Sequence, residues 1–147
     1  MFKTILLKLE GGETDRTMVE HVKPLAKLAQ GRVVLLHVDS PAQADGESVF
    51  NQADSAGIEH LRKIHREFQS AGIPVELELA YGDPAAEIVK RVRQKGCDLV
   101  ALGARKRRRL SELFLGTVAS RVQERIEPPV LVFRAEQTER TSALAER

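Results

Sequence analysis

Short apolar runs alternate with amphipathic stretches along all 147 residues of this chain, and that alternation leaves few folds open. Ile5, Leu6, Leu7 and Leu9 make a first run, the pattern of a strand covered on both faces, which Glu10, Gly11 and Gly12 break. From Thr14 to Gln30, Met18, Val22, Leu25 and Ala29 recur at helical spacing. Pro24 is expected to kink that helix or delay its regular part, and Gly31 to end it. Val33, Val34, Leu35, Leu36 and Val38 supply a second strand. Residues 39–47, "DSPAQADGE", are turn formers and read as a surface loop able to act as a lid. Phe50, Ala53, Gly57, Leu61, Ile64 and Phe68 then mark a long helix reaching Ala71, with Gly72 as its stop.

Val75, Leu77, Leu79 and Tyr81 alternate with Glu76, Glu78 and Ala80, so this third strand reads as an edge strand with one face less deeply covered. In "YGDPAAEIVKRVRQKG" Asp83 caps, Pro84 takes the first helical position, Ile88, Val89 and Val92 face inward, and Gly96 stops the helix. "DLVALG" gives a fourth strand, Thr117 to Arg125 a helix with Val118 and Val122 on one face, and "PPVLVFR" the last strand. The expectation is an α/β fold: a single open five-stranded parallel sheet with helices on both faces and right-handed crossovers. Ligands of such sheets bind beyond the carboxyl ends of the strands, where strand order reverses, which points to the loops after Leu9, Val38 and Leu102. Residues 1–134 read as one domain and 135–147 as a polar tail.

Charge is unevenly placed. The formal net charge is +2, and setting aside Arg105, Lys106, Arg107, Arg108 and Arg109 leaves 2 minus 5, or −3, for the rest. One basic loop on a slightly acidic body suits a single anionic ligand or docking partner better than sliding along nucleic acid, although a charge run is also the ordinary look of a solvated loop. Cys97 is the sole cysteine, which excludes an internal disulfide and suits a reducing cytosol. The N-terminal apolar run is too short for a signal peptide, and no segment has the length of a membrane span, so a cytoplasmic protein is expected.

"ILLKLEGG", "VVLLHV", "GDPAAEIVKRVRQKGCDLVALG" and "LFLGTVASRVQERIEPPVLVFR", in this order from Thr4 to Arg134, resemble the universal stress protein family. The resemblance implies a Rossmann-like sheet of the adenine-nucleotide alpha hydrolase-like type, a role in stress response, and homodimers paired through the last strand, here Val130, Leu131, Val132 and Phe133. Members that hold ATP carry Gly, two residues, Gly, nine residues, then Gly-Ser or Gly-Thr. Gly103, Gly116 and Thr117 keep that spacing, but Lys106 stands at the second glycine. If that turn needs positive φ, lysine costs on the order of 1 to 3 kcal/mol there, set against the phosphate contact its ammonium offers. Glu10 stands where such members place aspartate at the end of the first strand.

The nucleotide- or anion-binding candidates are therefore Leu9, Glu10, Val38, Gly103, Lys106, Arg107, Gly116, Thr117 and Val118. Thr117 reads equally as the cap of the helix it begins. His37 reads as a satisfied core histidine, and His21, His60 and His65 as helix-surface residues, so neither catalysis nor a metal is assigned to them. The chain lacks the Walker loop, the hydrolase nucleophile elbow, the dehydrogenase fingerprint and a His-x-Gly-His stretch, which excludes the common enzyme classes and leaves at most slow, incidental ATP hydrolysis. Three readings result. The leading one is a dimeric stress-response regulator whose basic loop attracts an anion, which requires no cofactor and does not bind ATP tightly. The second is an ATP-binding module, and the third, ranked last, is nucleic-acid binding through the arginine run.

Overall fold

The computed structural model describes residues 1–39, 55–104 and 117–134. Along the chain run β1 (Thr4–Lys8), α1 (Glu13–Ala29), β2 (Arg32–Asp39), α2 (Ser55–Ser70), β3 (Val75–Tyr81), α3 (Pro84–Lys95), β4 (Leu99–Ala104), α4 (Thr117–Gln123) and β5 (Val130–Arg134). All four strand pairings are parallel and the order is β3-β2-β1-β4-β5. The chain moves outward from β1 to β3, then returns past β1 to lay down β4 and β5, so the switch in strand order lies between β1 and β4.

Right-handed crossovers fix which helices share a face. The two outward connections put α1 and α2 on one side, where Met18, Val19, Val22, Leu61, Ile64 and Phe68 pack with Ile5, Leu7, Leu35 and Ala101. The returning connections put α3 and α4 on the other, where Ile88, Val92, Ala119 and Val122 pack with Leu6, Leu36, Val100 and Leu102. Alternation along each strand thus feeds two cores, which is why the middles of the central strands, Ile5–Leu7 and Val33–Leu36, are apolar on both faces. Among the described residues no helix is long and apolar enough to cross a membrane.

The edge position of β3 agrees with its alternating sequence. Its polar face is not bare, however. Arg91 of α3 binds Glu78 at 2.8 Å, and Lys95 lies 3.3 Å from Glu76, so charged side chains cover the part of the strand that apolar ones do not. The α3 boundaries fall as the sequence predicts, with the Asp83 carboxylate accepting from the Ala86 amide at 2.9 Å and Gly96 closing the helix at φ 65°.

The end of α1 differs from the expected glycine stop. Helix α1 begins at Glu13, ahead of Pro24, and continues through the exposed proline to Ala29. Gln30, not Gly31, is its left-handed cap (φ 53°), with the cap amide donating to Ala26 and Lys27 carbonyls. Gly31 is glycine for another reason: a Cβ there would lie 2.4 Å from the Phe2 carbonyl oxygen. The fourth helix spans Thr117–Gln123, close to the expected bounds.

Candidate functional site

Pairing between β1 and β4 ends at Leu7 with Ala101, and beyond that pair the two strand ends carry Leu9, Glu10 and Gly103 at the carboxyl edge of the sheet. Val38 lies at the same end of β2. The structure therefore brings four of the nine candidates to the switch region. Thr117 opens α4, and Val118 is half-buried against the α3 side of the sheet. Lys106, Arg107 and Gly116, like the whole cationic run 105–109 and the lid candidate at 40–47, lie outside the described residues.

Leu9 and Val38 do not offer their side chains to this region, because both are buried in the two cores. Leu9 is held by its amide, which donates to the Leu36 carbonyl at 2.8 Å, and by its carbonyl, which accepts from His37 Nδ1 at 2.9 Å. His37 is the buried core histidine its sequence position suggested. Burial pushes its pKa down despite the bond to Leu9, with the Lys8 charge acting in the same direction.

Gly103 is a strand residue, in register with Phe133 of β5, and it is pressed against the start of α1. A Cβ at this position would lie 2.7 Å from Thr14 Cγ2 and 3.5 Å from Met18 Cε, so packing against the start of α1 favours glycine here. That preference stands beside the phosphate-approach role assigned to it from the motif.

Three groups that spacing did not single out organise the mouth. Asp15, fully buried, accepts from the amides of Glu10 (2.8 Å) and Gly11 (2.7 Å) and meets His60 Nε2 of α2 at 2.9 Å. Asp15 is the third residue of α1 after the Gly12 N-cap, and its carboxylate reaches back past the cap to serve these two amides. His60 is consequently tied into the fold and is not a plain surface residue. Lys8 is the third: its side chain is 5% exposed, and its ammonium pairs with the Glu10 carboxylate.

Where α3 and α4 meet, Arg121 of α4 grips Asp83 with both terminal nitrogens, at 3.1 and 2.9 Å. The guanidinium holds the Asp83 carboxyl below the usual range, and the Ala86 amide adds to the effect. One aspartate thus caps α3 and anchors α4. Cys97 is buried, and desolvation lifts its thiol to about 11, well outside the range of a reactive thiolate.

Of the four residues proposed for self-association, Leu131 and Val132 on β5 are 39% and 42% exposed. Val130 packs into the α3–α4 core, and Phe133 packs against α1, its ring 5.3 Å from that of His21.

The universal stress protein family model matches residues 1–134. Among curated relatives, Universal stress protein MJ0531 of Methanocaldococcus jannaschii is 27% identical, over 91% of this chain and 83% of its own length. Among solved structures, MJ0577 of the same organism superposes with a TM-score of 0.74 at 27% identity, covering 91% of this chain and 96% of that one. A universal stress protein solved in complex with cAMP superposes with a TM-score of 0.68 at 18% identity, covering 91% and 98%, a likeness of fold alone.

Proposed function

Starting from the fact that this chain belongs to the universal stress protein family, we propose that it is a dimeric stress-response regulator, cytoplasmic and non-catalytic, whose switch-region mouth receives a small anionic ligand without holding ATP tightly. The observation that carries this reading is the pairing of Glu10 with the buried Lys8. The carboxylate that ATP-holding members direct at the ligand is here engaged from inside the protein, so a ligand must compete for it. The Lys106 substitution in the phosphate motif points the same way. A small anionic ligand remains the natural occupant, since the five cations at 105–109 follow directly on β4.

Calorimetric titration with ATP tests the reading. The expected result is no saturable heat below millimolar ligand; tight saturable binding, weakened by Thr117→Ala, establishes the ATP-binding alternative instead. That alternative draws support from the fold neighbour crystallised with cAMP, whose occupant is a nucleotide.

Dimer formation rests on β5, an edge strand with exposed Leu131 and Val132, since unpaired edges with apolar side chains invite a second copy. Light scattering at micromolar concentration is expected to give twice the chain mass, and Val132→Asp to give the single-chain mass. A single-chain mass for the unaltered protein rejects the dimer.

A further inference from the structure

Helix α1 is charged where it meets solvent and α2: Glu13, Glu20 and Lys27 are exposed, and Arg16 and Lys23 pair with Glu67. One stripe along it carries no formal charge. Thr14, Thr17, His21, Leu25 and Leu28 recur at helical spacing and share a flank. That flank borders β5, since Thr14 packs on Gly103, the β4 neighbour of Phe133, and the His21 ring lies 5.3 Å from the ring of Phe133. The fold leaves it uncovered, with His21 exposed and Leu28 86% exposed.

The edge of β5 is five residues, about 17 Å, a narrow contact beside the roughly 800 Å² that a stable interface buries on each partner. Its register says what lies beside it. The Pro129 carbonyl accepts from the Val100 amide, so Val130, Val132 and Arg134 turn their backbone groups outward. An antiparallel copy related by a twofold axis at Val132 sets Leu131 of one chain opposite Phe133 of the other, on the α1 side of both sheets. Leu131 of the second copy then meets the flank that His21 occupies, and Leu28 extends that flank by two turns.

We propose that this flank of α1 is the second half of the self-association surface and that His21 is its acid-sensitive contact. This rests on the reading that the chain pairs through β5. A second copy is the occupant because an uncharged stripe, continuous with an unpaired apolar edge, meets its own likeness without leaving a charge uncompensated. His21 Nδ1 donates to the Thr17 carbonyl at 2.8 Å, so Nε2 takes up a proton as pH falls. In a single chain the imidazolium keeps its water. In the pair it loses water against Phe133 and Leu131 of the second copy. Glu20, the preceding residue of α1, is an exposed carboxylate whose screened charge offsets little of that loss. Arg134 follows Phe133 with its side chain on the other face of the sheet, and Gly103 and Ala104 of β4 do not titrate. Two single chains therefore bind more protons than the pair, and acid favours dissociation.

Sedimentation equilibrium at about pH 7.5 and about pH 5.5 tests this on the intact chain, His21→Phe, His21→Lys and Leu28→Asp. The intact chain is expected to dissociate roughly tenfold more readily at the lower pH. His21→Phe removes that difference, His21→Lys gives the weaker pairing at both pH values, and Leu28→Asp weakens pairing about tenfold at both. Should His21→Lys lose its cooperative thermal transition, the other two variants decide. Equal pairing by the intact chain at the two pH values, a difference that survives in His21→Phe, or Leu28→Asp pairing as tightly as the intact chain overturns this proposal. Dissociation by Val132→Asp in those cases leaves pairing through β5 standing. A single-chain mass for the intact protein at about pH 7.5 overturns the dimer and this proposal together.

Discussion

Replacing Asp15 by alanine is expected to lower the stability of the fold by about 3 kcal/mol, as hydrogen bonds to a charged group contribute roughly 1.5 to 3 kcal/mol each. The carboxylate is fully buried and serves two backbone amides and one imidazole at distances of 2.7 to 2.9 Å. Three charge-assisted contacts would suggest more, but Gly11 is exposed and Glu10 partly so, and their amides regain water once the carboxylate is gone. His60, one-third exposed, regains it as well. With a slope of about 2 kcal/mol per molar urea, the unfolding midpoint falls by about 1.5 M. Asp15→Asn does not rescue the loss, because an amide side chain offers one acceptor where two donors converge and turns its own N–H groups toward the other. His60→Ala is the milder variant, about 1 kcal/mol, since it removes one partly solvated contact and leaves the amides served. A midpoint for Asp15→Ala within 0.5 M of the unaltered protein, on the order of the scatter in such extrapolations, shows that the β1–α1 turn holds itself without the carboxylate.

Asp15 also shows where sequence reading stops. The sheet was legible because burial on two faces leaves an apolar run, and burial on one face with charges opposite leaves alternation, so β3 could be placed at an edge from Glu76 and Glu78 alone. Helix α3 was legible because Asp83, Pro84 and Gly96 each satisfy a local backbone need. The contact between Asp15 and His60 joins residues 45 apart, on two helices that share one face of the sheet, and no spacing encodes it. An aspartate in a first helical turn looks like ordinary dipole compensation. Lys8 did leave a trace, a cation interrupting "ILLKLE", but a strand-end lysine commonly reaches solvent, and only the fold shows that this one does not. The motif singled out Gly103 but hid its packing duty, since the contact that crowds a side chain there comes from α1, nearly ninety residues earlier in sequence.

That second duty makes Gly103→Val the other large expected effect, about 3 kcal/mol of destabilisation, at the upper end of what overpacking costs. The new Cβ would stand 2.7 Å from Thr14 Cγ2 and 3.3 Å from Thr14 Cβ, and the two branches of valine add to the conflict. Thr14 sits in the first turn of α1, one residue before Asp15, so the start of the helix must move outward and the carboxylate that holds the β1–α1 turn moves with it. Gly103→Ala is the cleaner probe, at about 1 kcal/mol, because only the single methyl collides. Combining it with Thr14→Ala removes the Cγ2 contact, and the double variant is expected to recover most of the loss, a coupling of about 1 kcal/mol between the two sites. Urea midpoints of the four proteins give that coupling directly. Strict additivity means that Thr14 does not select glycine at 103, and the position returns to the role the motif assigns it, close approach of the backbone to a phosphate.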